Sequence, residues 1–67
     1  MTLGQLEEIC EDCVYIEDIN GNKIYRSDWD AELLFGQLVD WIKTKDNALV
    51  VSIAVSVDTL ADMQSQL

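Results

Sequence analysis

The sequence has no histidine and no proline, and only four basic residues, three glycines and two cysteines in a length of 67. Without histidine it lacks the side chain that most often moves protons near neutral pH. Ser27, Ser52, Ser56 and Ser65 have no base nearby in sequence, and Gly4, Gly21 and Gly36 build no phosphate-cradling loop. Carboxylates are so numerous that no pair stands out as acid and base. An enzyme is therefore not expected, and neither catalytic residues nor a cofactor are assigned. Four bases against thirteen acids also exclude direct binding to nucleic acid.

The two cysteines, Cys10 and Cys13, form one CxxC. Structural zinc takes four ligands, and there is neither a second pair nor a histidine, so no metal site is expected. Glu7, Glu8, Glu11 and Asp12 surround the pair and disfavour a thiolate, which argues against redox chemistry. Both are read as reduced, buried, small apolar residues, with a metal site shared between two chains as the alternative. Asp18-Ile-Asn20-Gly21-Asn22 fails as a calcium loop, because the sixth and twelfth positions from Asp18 are Lys23 and Trp29 rather than glycine and glutamate. No stretch approaches the roughly 20 apolar residues of a membrane span. The longest apolar tract, Ala48 to Val57, is broken by Ser52 and Ser56. Nor does a basic segment followed by an apolar run precede a cleavage site, so a soluble cytoplasmic protein is expected.

What is present is charge of one sign and a large apolar fraction. The formal net charge is -9, yet 49% of the residues are hydrophobic, which is not the composition of a disordered acidic tail. The chain reads as a single domain over residues 1–67, near the lower size limit for a self-sufficient core. Little volume is left for an enclosed pocket of roughly 300 Å³.

Thr2 and Gln5 form a capping-box pattern, and Leu3, Leu6, Ile9 and Cys10 share helical spacing, predicting a short helix over 3–10. The β-branched and aromatic run 13–17, the Asn20-Gly21 turn and the returning run 23–26 predict a hairpin. Ser27 to Asp30 resembles a second capping box, with Asp28, Asp30 and Glu32 at the helix start. Beyond it two readings compete for 37–45. Ala31, Leu34, Phe35, Leu38, Trp41 and Ile42 fall at helical spacing and favour one helix to about Lys43. Gly36 costs such a helix about 1 kcal/mol, and the alternative ends it there, makes 39–45 a strand and turns at Asp46-Asn47. Residues 48–57 alternate as a strand, with Val50 and Ala54 making its second face small or apolar as in a central strand. Residues 58–67 suit a short helix with Leu60, Met63 and Leu67 on one stripe. The expected fold class is α+β: a small antiparallel sheet of three to four strands with helices packed on one face.

The acids come in adjacent pairs, Glu7-Glu8, Glu11-Asp12 and Glu17-Asp18, with Asp28, Asp30 and Glu32 as a second patch. Adjacent carboxylates repel one another, and a row of them on a small rigid body can imitate the charge density of duplex DNA, one charge per about 1.7 Å of axis. An acidic surface also keeps a small protein soluble without further purpose. Core packing is the favoured reading of the five aromatics; Tyr15, Tyr25 and Trp29 are the candidates for exposure, where an aromatic ringed by acids would anchor a partner.

The Asp18-x-Asn20-Gly21-Asn22-x-Ile24-Tyr25 hairpin, the Asp-rich start of the following helix and the closing apolar strand together resemble small acidic proteins of bacteriophages and mobile elements. In size and acidity the chain is similar to anti-CRISPR proteins and DNA-mimicking inhibitors, including phage-type inhibitors of uracil-DNA glycosylase. The likeness covers the pattern of residues 3–57. It implies a stoichiometric inhibitor that fills a host protein's nucleic-acid groove in the host cytoplasm, with a CRISPR effector or a DNA-repair enzyme as the basic partner. No inhibitor's contact residues align onto this chain. The partner-binding assignment of Glu7, Glu8, Glu11, Asp12, Glu17, Asp18, Asp28, Asp30 and Glu32 therefore rests on charge alone. The alternative is a small homodimeric interaction module that pairs through the apolar second face of residues 48–57.

Overall fold

Thr2 sets the first turn. Its hydroxyl accepts the N–H of Gln5 at 3.2 Å, and the Gln5 side chain accepts the N–H of Thr2 at 2.8 Å, the reciprocal capping box the sequence predicts. In the computed structural model, which describes residues 1–9 and 14–67 (Val14 by its backbone alone), helix α1 spans Leu3–Glu7. It is shorter than the predicted 3–10. Leu3 and Leu6 are buried, but Ile9 is 72% exposed, so the apolar contact that would sustain another turn is not made. Cys10 and Cys13 lie outside the described residues, as do Glu11 and Asp12.

Strands β1 (Val14–Glu17) and β2 (Lys23–Ile24) form the predicted antiparallel hairpin. Gly21 sits at φ 85°, the left-handed position that a three-residue hairpin loop reserves for glycine. A 3₁₀ turn over Arg26–Asp28 leads to helix α2 (Ala31–Phe35). The second predicted capping box does not form. Asp30 takes the N-cap position, but its side chain makes no capping hydrogen bond.

The favoured long helix does not form either; the strand alternative is correct. Helix α2 stops at Gly36, and Val39–Lys45 is strand β3. The reason is tertiary. Strand β4 (Ala48–Ile53) has Val50, Val51, Ser52 and Ile53 all buried, and buried backbone groups need partners along both edges of such a strand. Strand β1 supplies one edge and only residues 39–45 can supply the other, through a two-residue turn in which Asp46 (φ 53°) and Asn47 (φ 66°) are both left-handed. The strand ends at Ile53 rather than Val57, because Ser56 accepts the N–H of Thr59 at 3.1 Å and so caps helix α3 (Val57–Ser65).

The sheet order is β2-β1-β4-β3. Strand β1 runs parallel to β4, so the sheet is mixed rather than wholly antiparallel as predicted. Strands β2 and β3 point the same way, which requires a crossover, and the 3₁₀ turn with α2 provides it. The tight β3–β4 turn then returns β4 parallel to β1. Alternate strand residues Ile16, Ile24, Val51 and Ile53 meet Leu3 and Leu6 of α1, Leu34 of α2 and Leu60 of α3 in one core. The helices thus occupy one face, and the α+β class with a small sheet holds. Among the described residues no helix is long and apolar enough to cross a membrane.

Candidate functional site

The strand registers divide the ionisable side chains between two sides of the molecule. Opposite residues on neighbouring strands share a face, which sets Lys23 beside Glu17, Tyr15 beside Val50 and Lys43, and Trp41 beside Ser52. These lie on the face away from the core, and Lys45 joins them by alternation from Lys43. Three of the four basic residues therefore occupy the helix-free face. Lys23 Nζ lies 5.1 Å from the ring centre of Tyr15 and 5.2 Å from that of Tyr25, and Lys43 Nζ lies 4.7 Å from that of Trp41. Such cation–π contacts contribute about 0.5–1 kcal/mol each at exposed sites. Among the described residues none of these lysines has a carboxylate within 4.0 Å. Tyr15, Lys23, Lys45 and Val50 line a shallow depression of about 280 Å³, together with Glu17 and Asp46.

The helical side carries most of the described acids, whereas Glu17, Asp40 and Asp46 lie on the strands and the β3–β4 turn with the lysines. Glu8 closes α1, Asp28 ends the 3₁₀ turn, Asp30 and Glu32 start α2, and Asp58 and Asp62 lie one turn apart on α3; all are exposed. Helix α2 contacts both α1 and α3, so these acids sit on adjoining elements. The N–H of Asp30 donates to Gln64 Oε1 at 2.6 Å, tying the start of α2 to α3. The fourth basic residue, Arg26, is bound on this side by Glu7.

The predicted partner-binding residues are not equivalent. Glu8, Asp28, Asp30 and Glu32 are exposed and stand on the helical side. Glu7 is partly buried and engaged by Arg26. Glu17 is half-buried and belongs to the sheet face with Lys23. Glu11 and Asp12 lie outside the described residues.

Asp18 needs correction. It is 1% exposed, and its carboxylate is consumed within the fold. One oxygen accepts the N–H groups of Asn20 (2.9 Å) and Asn22 (2.7 Å); the other accepts the Asn22 side-chain amide (3.0 Å) and the N–H of Val57 (2.9 Å). Burial alone would push this carboxyl up, but those donors, led by the Asn22 side chain, outweigh it and hold the group below its ordinary 3.8. Asp18 is thus a structural knot at the positive end of α3, with no lone pair to spare for a partner. Ser52, fully buried, lies 3.2 Å from the Asp18 carbonyl oxygen and donates to it.

Sequence reasoning left out Asp58 and Asp62. Their spacing of four within a helical stripe was the available signal, but nothing in sequence sets α3 beside α2. Tyr15 and Tyr25 are exposed rather than in the core, whereas Trp29 packs partly buried against it. The small second face expected of residues 48–57 is not an open apolar surface either: Val50 is buried between Tyr15 and Lys43, and Ala54 lies past the end of β4.

No protein-family profile, curated protein sequence or solved structure matches this chain.

Proposed function

We propose that this chain is a non-catalytic acidic inhibitor whose helical side occupies the nucleic-acid groove of a basic host protein, with a CRISPR effector as the leading partner and a DNA-repair enzyme as the next. The observation that carries this reading is the segregation of charge. The described helical elements present Glu8, Asp28, Asp30, Glu32, Asp58 and Asp62 with Arg26 as their one base, while the remaining bases stand on the opposite face of the sheet. A merely solvated acidic protein has no need of that separation. A mimic of phosphate does, because a lysine among the carboxylates would lower the local field that a cationic groove recognises. The longest dimension, 36 Å, is close to one turn of duplex DNA, about 34–36 Å. The body is also held rigid by its single core and the Asp18 knot, which limits the ordering cost of binding.

The reading operates in the cytoplasm of a host cell and requires no cofactor. The direct test measures DNA binding by a purified effector–guide complex while the protein is added in increasing amount. Displacement of DNA that weakens with salt supports the reading. Unchanged DNA binding at saturating protein, for effectors and repair glycosylases alike, would remove it.

A further inference from the structure

Strand β3 ends the sheet, and among the described residues its outer edge is open over most of its length. Only its beginning is covered: Leu3 N–H donates to the Gln37 carbonyl and Val39 N–H to the Met1 carbonyl, both at 2.9 Å, making a single antiparallel bridge between Thr2 and Leu38. The Asp46-Asn47 turn makes Lys45 and Ala48 a hydrogen-bonded pair, so Lys43 and Trp41 also bond inward to β4. Ile42 and Thr44 then direct their N–H and C=O groups outward, where among the described residues no backbone group meets them. The side chains flanking those groups differ between the two faces. On the helix-free face stand Trp41, Lys43 and Lys45, the lysines without a described carboxylate partner. On the core face Ile42 is 44% exposed at the rim.

We infer that the outer edge of β3 is a docking site for an extended segment of a partner protein in which acidic residues alternate with apolar ones. Such a strand pairs through the outward groups of Ile42 and Thr44, sets its carboxylates beside Lys43 and Lys45, and lays its apolar residues over Ile42. Charge complementarity selects this occupant. A second copy of β3 would bring lysines against lysines on the same face, the device by which edge strands resist self-pairing. Asp40 and Asp46 flank this stretch of β3, so the occupant's carboxylates are confined to Lys43 and Lys45 between them. The acids of the helical layer lie on the other side of the sheet, screened at physiological salt, where fields decay over about 8 Å. This surface is separate from the acidic side and does not depend on the function proposed for it.

The test is an NMR titration of the full chain with a short blocked peptide of alternating glutamate and valine, and with the same peptide carrying lysine for glutamate. The acidic peptide is expected to slow hydrogen exchange at the Ile42 and Thr44 amides and to shift residues 40–45. Lys43→Glu with Lys45→Glu should weaken binding about tenfold, as two reversed cross-strand charge pairs imply. Thr44→Pro should abolish binding and leave the remaining spectrum native, because that N–H serves no bond within the sheet. The inference is overturned if the lysine peptide binds the edge equally well, or if shifts fall on the helices. It is equally overturned if the two amides become protected by raising protein concentration alone, or if the acidic peptide does not bind.

Discussion

The carboxylate of Asp18 accepts the backbone N–H of Val57 at 2.9 Å, joining the first hairpin to the start of the last helix across 39 positions of sequence. The same side chain closes the hairpin loop through Asn20 and Asn22, so one residue sets two local structures and their relative position. Asp18→Ala leaves those donors without their acceptor and should cost roughly 2–4 kcal/mol. Asp18→Asn keeps one acceptor oxygen but turns an amide N–H₂ toward other donors, and should recover only part of that. Urea unfolding of the two variants checks both. Equal stability of Asp18→Ala and the parent would show that the knot contributes nothing.

The same contact predicts the response to acid. The folded Asp18 carboxyl is held below 3.8, so its contribution is fully present above the unfolded value and is lost as pH falls through the lowered folded value. The parent should therefore lose stability below about pH 4 more steeply than Asp18→Asn, which has no proton to take up there. Thermal unfolding of both proteins between pH 5 and 2 measures the difference. Parallel curves would sink the linkage.

Two glycines should respond to alanine for different reasons. Gly21 has open space around its missing side chain but a φ of 85°, so Gly21→Ala should cost about 1 kcal/mol through the backbone alone. A Cβ at Gly4 would meet the Phe35 carbonyl oxygen at 3.2 Å and the Phe35 Cβ at 3.3 Å, where α1 crosses α2. Gly4→Ala should destabilise by about 1 kcal/mol despite its better helix propensity, because two backbones must separate. Calorimetry of each variant separates the effects, and a gain in stability at Gly4 would show that α1 shifts freely.

On the acidic side, Asp30→Lys with Glu32→Lys, and separately Asp58→Lys with Asp62→Lys, should slow association with a basic partner by about tenfold or more at low salt. Glu17→Lys, on the opposite face, should change it little. Stopped-flow mixing with the basic partner proposed above distinguishes the surfaces. Equal slowing per reversed charge in all three variants would mean that net charge, not its placement, governs binding.

Val50 and Ala54 distinguish a core from an interface. Val50→Asp buries a charge between strands and should unfold the domain, at a cost of about 3 kcal/mol or more, whereas Ala54→Asp should be nearly silent. A folded Val50→Asp protein of reduced assembly size would revive the self-associating module.

Several features were legible because they are local. The Thr2–Gln5 capping box and the Asn20-Gly21 hairpin each need only residues a few positions apart, and short-range sterics and hydrogen bonding decide them. The alternation of residues 48–57 likewise identified the central strand, since burial on both faces leaves small or apolar residues at nearly every position, although the strand itself stops at Ile53. Ser56 carried an N-cap signal that the apolar run through Val57 concealed.

The remaining features depended on neighbours far away in sequence. Residues 39–45 satisfy helical and strand patterns alike, and the unpaired edge of β4 resolved the ambiguity. Asp18 is one acid among thirteen in composition, and only the approach of the α3 start to the hairpin loop separates it from the surface acids. The total charge of -9 belongs to the sequence alone. Its division into an acidic helical side and a lysine-bearing sheet face belongs to tertiary structure, because sheet register and helix docking determine which direction each side chain points.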